Sequence, residues 1–198
     1  MHRTLIAACC FLLTVVSFTL VPHLVEARMY GSKAVVAILP AINNSSLRGG
    51  GYTAEMVDES MAGKFSADRY IVVSGQNLMD RLQMQGIGDY ANTDWGTLVS
   101  ALRNMRVDYC VRAEVQFVTT DQQLDFPNAL ILLKRWTATV PLHVTVMDIN
   151  NGYALYDSVI TENGEHQALV GFVKQSYAVR RGLEKALQRF NGEFYLPE

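Results

Sequence analysis

The sequence predicts an α/β chain of α+β-like order: a mixed sheet with two short N-terminal strands, a long antiparallel C-terminal hairpin region, and helices packed on the sheet. Three observations predict it. Residues 34–39 are a short, nearly continuous apolar run, as in a strand covered on both faces. Residues 107–117 and 132–146 alternate apolar and polar side chains with a period of two. Asn151-Gly152, with alternating residues on each side, is a hairpin signal.

Pro40 stops the first strand, and a loop with Asn43, Asn44, Ser45, Ser46 and Gly49-Gly50-Gly51 follows. Thr53 is then placed to cap a helix whose apolar positions include Ala54, Val57, Met61 and Phe65. Glu55, Asp58 and Glu59 fall in its first turns, where carboxylates favour the positive end of the helix dipole. Residues 70–73 form the next strand, and Ser74 caps a helix with Leu78, Met79 and Leu82 that ends at Gly86. Thr93 opens a third helix with Trp95, Leu98, Val99, Leu102 and Met105 along one side.

In the strand at 107–117, Val107, Tyr109, Val111, Ala113, Val115 and Phe117 form the core face, with Arg112 and Glu114 on the polar one. Residues 119–130 read as a connecting loop with a candidate partner contact in Asp125 and Phe126, beside Trp136 on the next strand. Pro141 within that strand implies an edge position or a bulge. A strand over 153–161 pairs back after the turn. A helix over 166–189 follows, its stripe including Leu169, Phe172, Val173, Ser176, Leu183, Leu187 and Phe190. Lys174, Arg180, Arg181, Lys185 and Arg189 make its other side basic, a solvated face or a contact for an acidic partner or an anionic lipid surface, with Arg180 and Arg181 the candidate residues.

A 198-residue chain with 49% hydrophobic residues has ample material for a core, and seventeen basic against nineteen acidic side chains argue against nucleic acid as a partner. His2 and Arg3 precede an apolar run over 5–21, and Val25-Glu26-Ala27 offers a cleavage site. Residues 1–27 are therefore read as a signal peptide and 28–198 as a single domain, with a retained N-terminal membrane anchor as the alternative. Cys9 lies too close to the charged start to serve as a lipidated cysteine, so membrane association, where it occurs, is expected without lipid. After the signal only Cys110 remains; its place in an alternating strand marks it as a small buried hydrophobe.

No catalytic signature stands out. The Gly49-Gly50-Gly51 run lacks the Lys-Ser or Lys-Thr of a phosphate loop, and no Gly-x-Ser-x-Gly elbow marks a nucleophile. His143 and His166 have no metal-ligand company in the sequence, so neither a metal nor a cofactor is expected and the chain is read as not an enzyme.

The series KAVVAILPAINNSS, RYIVVS, VDYCVRAEV and DINNGYALYDS resembles the envelope domain shared by CsgG, LpoB and the N-terminal domain of TolB. The resemblance covers about residues 33–189. It implies an exported, non-enzymatic accessory domain of the bacterial cell envelope, in the periplasm or on the envelope exterior, that binds an envelope protein. The alternative it leaves open is a subunit of an oligomeric secretion or assembly complex, and an enzyme of unrecognised type is the third reading. The chain departs from the group in lacking a credible lipidated cysteine. The 119–130 connection, read as a loop, is also too short for a membrane hairpin needing about 9 to 11 residues per strand.

Overall fold

The computed structural model describes residues 33–45, 51–65, 67–128, 131–169 and 174–196. The expected signal at 1–27, Gly49, Gly50, Phe172 and Val173 lie outside them. The first apolar run becomes β1 (Ala34–Ile38), with Val36 and Ile38 buried against one core and Ala37 and Leu39 against another. This two-sided burial explains why the run does not alternate. β1 lies parallel between β3 (Tyr70–Ser74) and β4 (Tyr109–Val115), and the short β2 (Ile42–Asn43) pairs with the far end of β4. β4 runs antiparallel to β6 (Ile131–Asp148), which also pairs with β5 (Thr119–Asn128) and β7 (Tyr153–Leu169). The result is an open, mixed, seven-stranded sheet.

Helices α1 (Gly51–Lys64) and α4 (Gln175–Glu193) cover one face with Val57, Met61, Phe65, Leu183, Leu187 and Phe190. Helices α2 (Gly75–Met84) and α3 (Trp95–Asn104) cover the other, over β1 and β4, with Leu78, Leu82, Leu98 and Leu102. The expected fold class therefore holds. Cys110 faces the second core and is buried, as its place in the strand implied.

Several local expectations need correction. α1 begins two residues before Thr53, whose Oγ1 instead accepts from Asn43 Nδ2 at 2.7 Å. In α3 the N-cap is Asp94, which accepts from the Thr97 N–H at 2.9 Å, while the Thr93 hydroxyl donates to the Asp89 carbonyl. The carboxylate, a charged acceptor, takes the position that the neighbouring hydroxyl was expected to hold. Ser74 does stand at the N-cap of α2, though its side chain makes no capping bond. Asp58 ties down the loop after β1, accepting from the Ala41 N–H at 2.7 Å, and burial raises its carboxyl above the usual range.

The largest corrections concern the second half. Residues 119–128 are not a loop but the ten-residue strand β5, and His166–Leu169 end β7 rather than start a helix. β4 and β5 lie end to end along one edge of β6, opposite 142–148 and 131–139. Phe117 sits in the break between them and is exposed, not core. Pro141 faces the same break, where its carbonyl accepts from the Gln116 N–H and no donor is needed from its own nitrogen. A proline inside a central strand is tolerated there because the ladder changes partners at that point.

Candidate protein-docking surface

The strands β6 and β7, eighteen and seventeen residues long, outrun the rest of the sheet. Their far halves join β5 in a three-stranded arm, with Gln122 opposite Trp136 opposite His166, and Leu124 opposite Lys134 opposite Ala168. α4 starts over the base of this arm: Gln175 Nε2 donates to Thr120 Oγ1 at 2.7 Å, and the Tyr177 ring lies 4.8 Å from that of His166. The arm continues past this first helical turn. At its end Leu124 and Leu169 are 50% and 53% exposed, which sets them apart from the buried leucines of the body.

Three of the sequence candidates gather on this arm. Asp125 pairs in register with Leu133, and Phe126 lies in the irregularity between Asp125 and Asn128; the side chains of both fall outside the described residues. Trp136 is half-buried against the core, with Lys134 Nζ 5.1 Å from its ring centroid. Arg180 and Arg181 lie elsewhere, on α4. Arg180 is exposed and pairs with Glu184 one turn on, at 2.9 Å. Arg181 donates to the Glu165 carbonyl at 2.9 Å, and Lys185 likewise to the Asn163 carbonyl at 2.8 Å. Arg189 bonds Glu193 and reaches Glu162. Arg181 and Lys185 of the basic helix face thus clasp β7, occupying carbonyls that an unpaired strand would offer to another chain.

The face of the sheet turned away from α4 is mostly polar among the described residues, with Leu169 beside Leu133 at its far end. Arg135 pairs with Glu165 at 3.2 Å, Thr139 Oγ1 donates to Asn163 Oδ1 at 2.8 Å, and His143 Nε2 meets Asp157 Oδ1 at 2.7 Å. The Asp157 carboxyl is held below the usual range, first by its hydrogen bond with His143 and also by the Thr145 hydroxyl. On β4, Arg112 donates to the Ala91 carbonyl at 2.7 Å and lies over the Trp95 ring, while Glu114 accepts from Asn44 Nδ2. These residues stabilise strands and loops. Among the described residues no three His, Cys, Asp or Glu side chains are grouped as a metal would require, and no helix is long and apolar enough to cross a membrane.

Sequence reasoning missed Gly164 and Gly182, which let α4 sit against β7, and the strand character of residues 119–128. The first pair left a faint signal, a glycine inside each of two otherwise regular elements.

No family model and no curated relative matches this sequence. Solved structures do match. A putative neuraminyllactose-binding hemagglutinin homolog from Helicobacter pylori aligns with a TM-score of 0.51 at 9% identity, over 83% of this chain and 87% of that one. Lipoprotein GNA1162 from Neisseria meningitidis aligns at 0.45 and 10% identity over 81% and 99%, and the LpoB C-terminal domain from Escherichia coli at 0.41 and 13% identity over 70% and 89%. The first of these is a likeness of fold. The LpoB part of the expected resemblance has a counterpart here at low identity; its CsgG and TolB parts rest on the sequence motifs.

Proposed function

We propose that this protein is a non-enzymatic accessory protein of the bacterial cell envelope that binds another envelope protein through the tip of the β5–β6–β7 arm. The observation that carries the reading is the arm itself: three strands that extend past the first turn of α4 and carry exposed Leu124 and Leu169 toward its far end. Exposed apolar residues on a projection with polar surroundings suit a protein contact, where a few buried anchors supply most of the binding energy. The export signal and the motif series support the compartment.

A photo-crosslinking side chain placed at Leu124 or Leu169 in intact cells should give a discrete adduct with one protein. The same group at Gln76 on α2 should not. Equal adducts from all three positions, or none from the tip, would sink the reading.

One observation favours a second reading, the subunit of an oligomeric complex. The 119–130 segment, expected to be too short for long strands, contributes ten residues to a hairpin with β6. Light scattering of the purified mature chain with and without membranes decides between the two: a strict monomer in both conditions rejects the oligomer.

A further inference from the structure

At the opposite edge of the sheet from the arm, a cleft of about 570 Å³ opens between the end of α1, the start of β3 and the segment after α4. Its walls include Lys64, Phe65, Arg69, Tyr70, Phe194 and Tyr195. Lys64 Nζ lies 5.2, 5.8 and 5.0 Å from the ring centroids of Phe190, Phe194 and Tyr195 and donates to the Asn191 carbonyl at 2.9 Å. Among the described residues no carboxylate comes within 4.0 Å of Lys64 or Arg69. Burial lowers the Lys64 ammonium below its ordinary range, as expected of a partly desolvated cation.

Arg69 and Tyr70 also stand at the first residues of β3, the outermost strand, whose described ladder partner is β1 on one side. Tyr70, Ile71, Val72, Val73 and Ser74 carry no charge and no proline, the devices that usually blunt a free edge. Ile71 is half exposed. A peptide that adds antiparallel to β3 must end beside the first residue of that strand, where the cleft lies.

We propose that the β3 edge and this cleft bind the free C-terminus of an extended partner peptide, with the terminal carboxylate between Lys64 and Arg69 and an apolar last side chain against Phe65, Phe194 and Tyr195. Main-chain hydrogen bonds along β3 supply general affinity, and the carboxylate and last side chain supply selectivity. Two cations with no acidic partner among the described residues complement one carboxylate, and the aromatic walls complement an apolar side chain. The site is separate from the arm, so the two contacts stand or fall independently.

Calorimetric titration of the full chain tests it with the peptide Thr-Val-Thr-Val-Thr-Leu, its C-terminal amide, and N-acetyl-leucine. The free-acid peptide should bind, and the amide should bind at least about tenfold more weakly because it loses a charge-assisted contact. Arg69→Gln should weaken the free acid by a similar factor and leave the amide unchanged; Leu124→Asp on the arm should change neither. N-acetyl-leucine should bind far more weakly than the peptide, and amide resonances of residues 70–74 should shift with the peptide alone. Equal binding of acid and amide, no binding at several millimolar peptide, or N-acetyl-leucine binding as well as the peptide would each overturn the proposal.

Discussion

Gly182 of α4 rests against Gly164 of β7 so closely that neither position has room for a methyl group. A Cβ on Gly164 would strike the Ala178 carbonyl and the Gly182 nitrogen, and one on Gly182 would come within 2.8 Å of Val140 Cγ2 and 3.1 Å of the Gly164 nitrogen. This contact fixes α4 on the sheet, so it also fixes the level at which the arm emerges. Gly164→Ala meets backbone, which cannot move aside, and should destabilise the fold by about 3 kcal/mol, at the upper end for overpacking. Gly182→Ala meets mainly a side chain and gains about 1 kcal/mol of helix propensity, so its cost should be smaller. Denaturant titration of both, with Val140→Ala added to each, checks the ranking: Val140→Ala should relieve the Gly182 variant and not the Gly164 one.

The Asp157–His143 pair predicts a specific acid dependence. The carboxyl of Asp157 is held below its ordinary 3.8, chiefly by the His143 hydrogen bond. A carboxyl depressed on folding contributes stability that is whole above its unfolded value and is lost as pH falls through the folded one. Asp157→Asn should therefore be less stable than the native chain at pH 6, by about 0.5 kcal/mol for a pair this exposed. The gap should close as pH drops below about 3.8 and the native carboxylate is protonated. A gap that persists undiminished at pH 2.5 would mean that the pair acts through packing rather than charge.

The elements that were legible in the sequence are those whose own residues decide their state. The run at 34–38 is apolar throughout because it is buried on both faces, and 109–115 alternates with the addition of Cys110 on the second core. β5 was illegible because Asp121, Gln122, Gln123, Asp125, Pro127 and Asn128 have little strand preference; the ladder of β6 imposes the conformation. The end of β7 was misread for a different reason. Leu169, Phe172, Val173 and Ser176 have helical spacing, while the strand signal at His166 is carried by its neighbours across β6. The partner role expected of Arg181 came from charge alone, and charge does not reveal that its guanidinium also donates to the Glu165 carbonyl of β7.

The hairpin between β6 and β7 turns through Ile149–Gly152, with the Gly152 N–H donating to the Asp148 carbonyl at 2.8 Å and Gly152 at φ 74°. Its nearest neighbour for a Cβ is Arg103 Nη2 at 4.0 Å, so space is available and only the backbone conformation resists substitution. Gly152→Val should cost about 2 kcal/mol, the penalty of a left-handed conformation for a β-branched residue. In a chain of this size that corresponds to a fall in Tm of roughly 4 to 8 °C. An unchanged Tm would count against the turn.

Cys110 provides a probe of the second core that needs no substitution. It lies between Ala37 of β1 and Met147 of β6 in the ladder, fully buried, and burial pushes its thiol up to about 12. Reaction with a thiol reagent requires both exposure and the thiolate, so the native chain at pH 8 should be inert and labelling should follow unfolding. Pulsed labelling across a urea titration should then give the same midpoint as circular dichroism. Labelling that precedes the loss of helix signal would show the α2–α3 layer opening before the α1–α4 layer, since Cys110 reports on the first alone. Cys110→Ser should lower the unfolding free energy by about 1 to 3 kcal/mol, because the buried hydroxyl would join the cluster of Leu39, Leu98 and Leu102, while Cys110→Ala, which adds no polar group, should cost less.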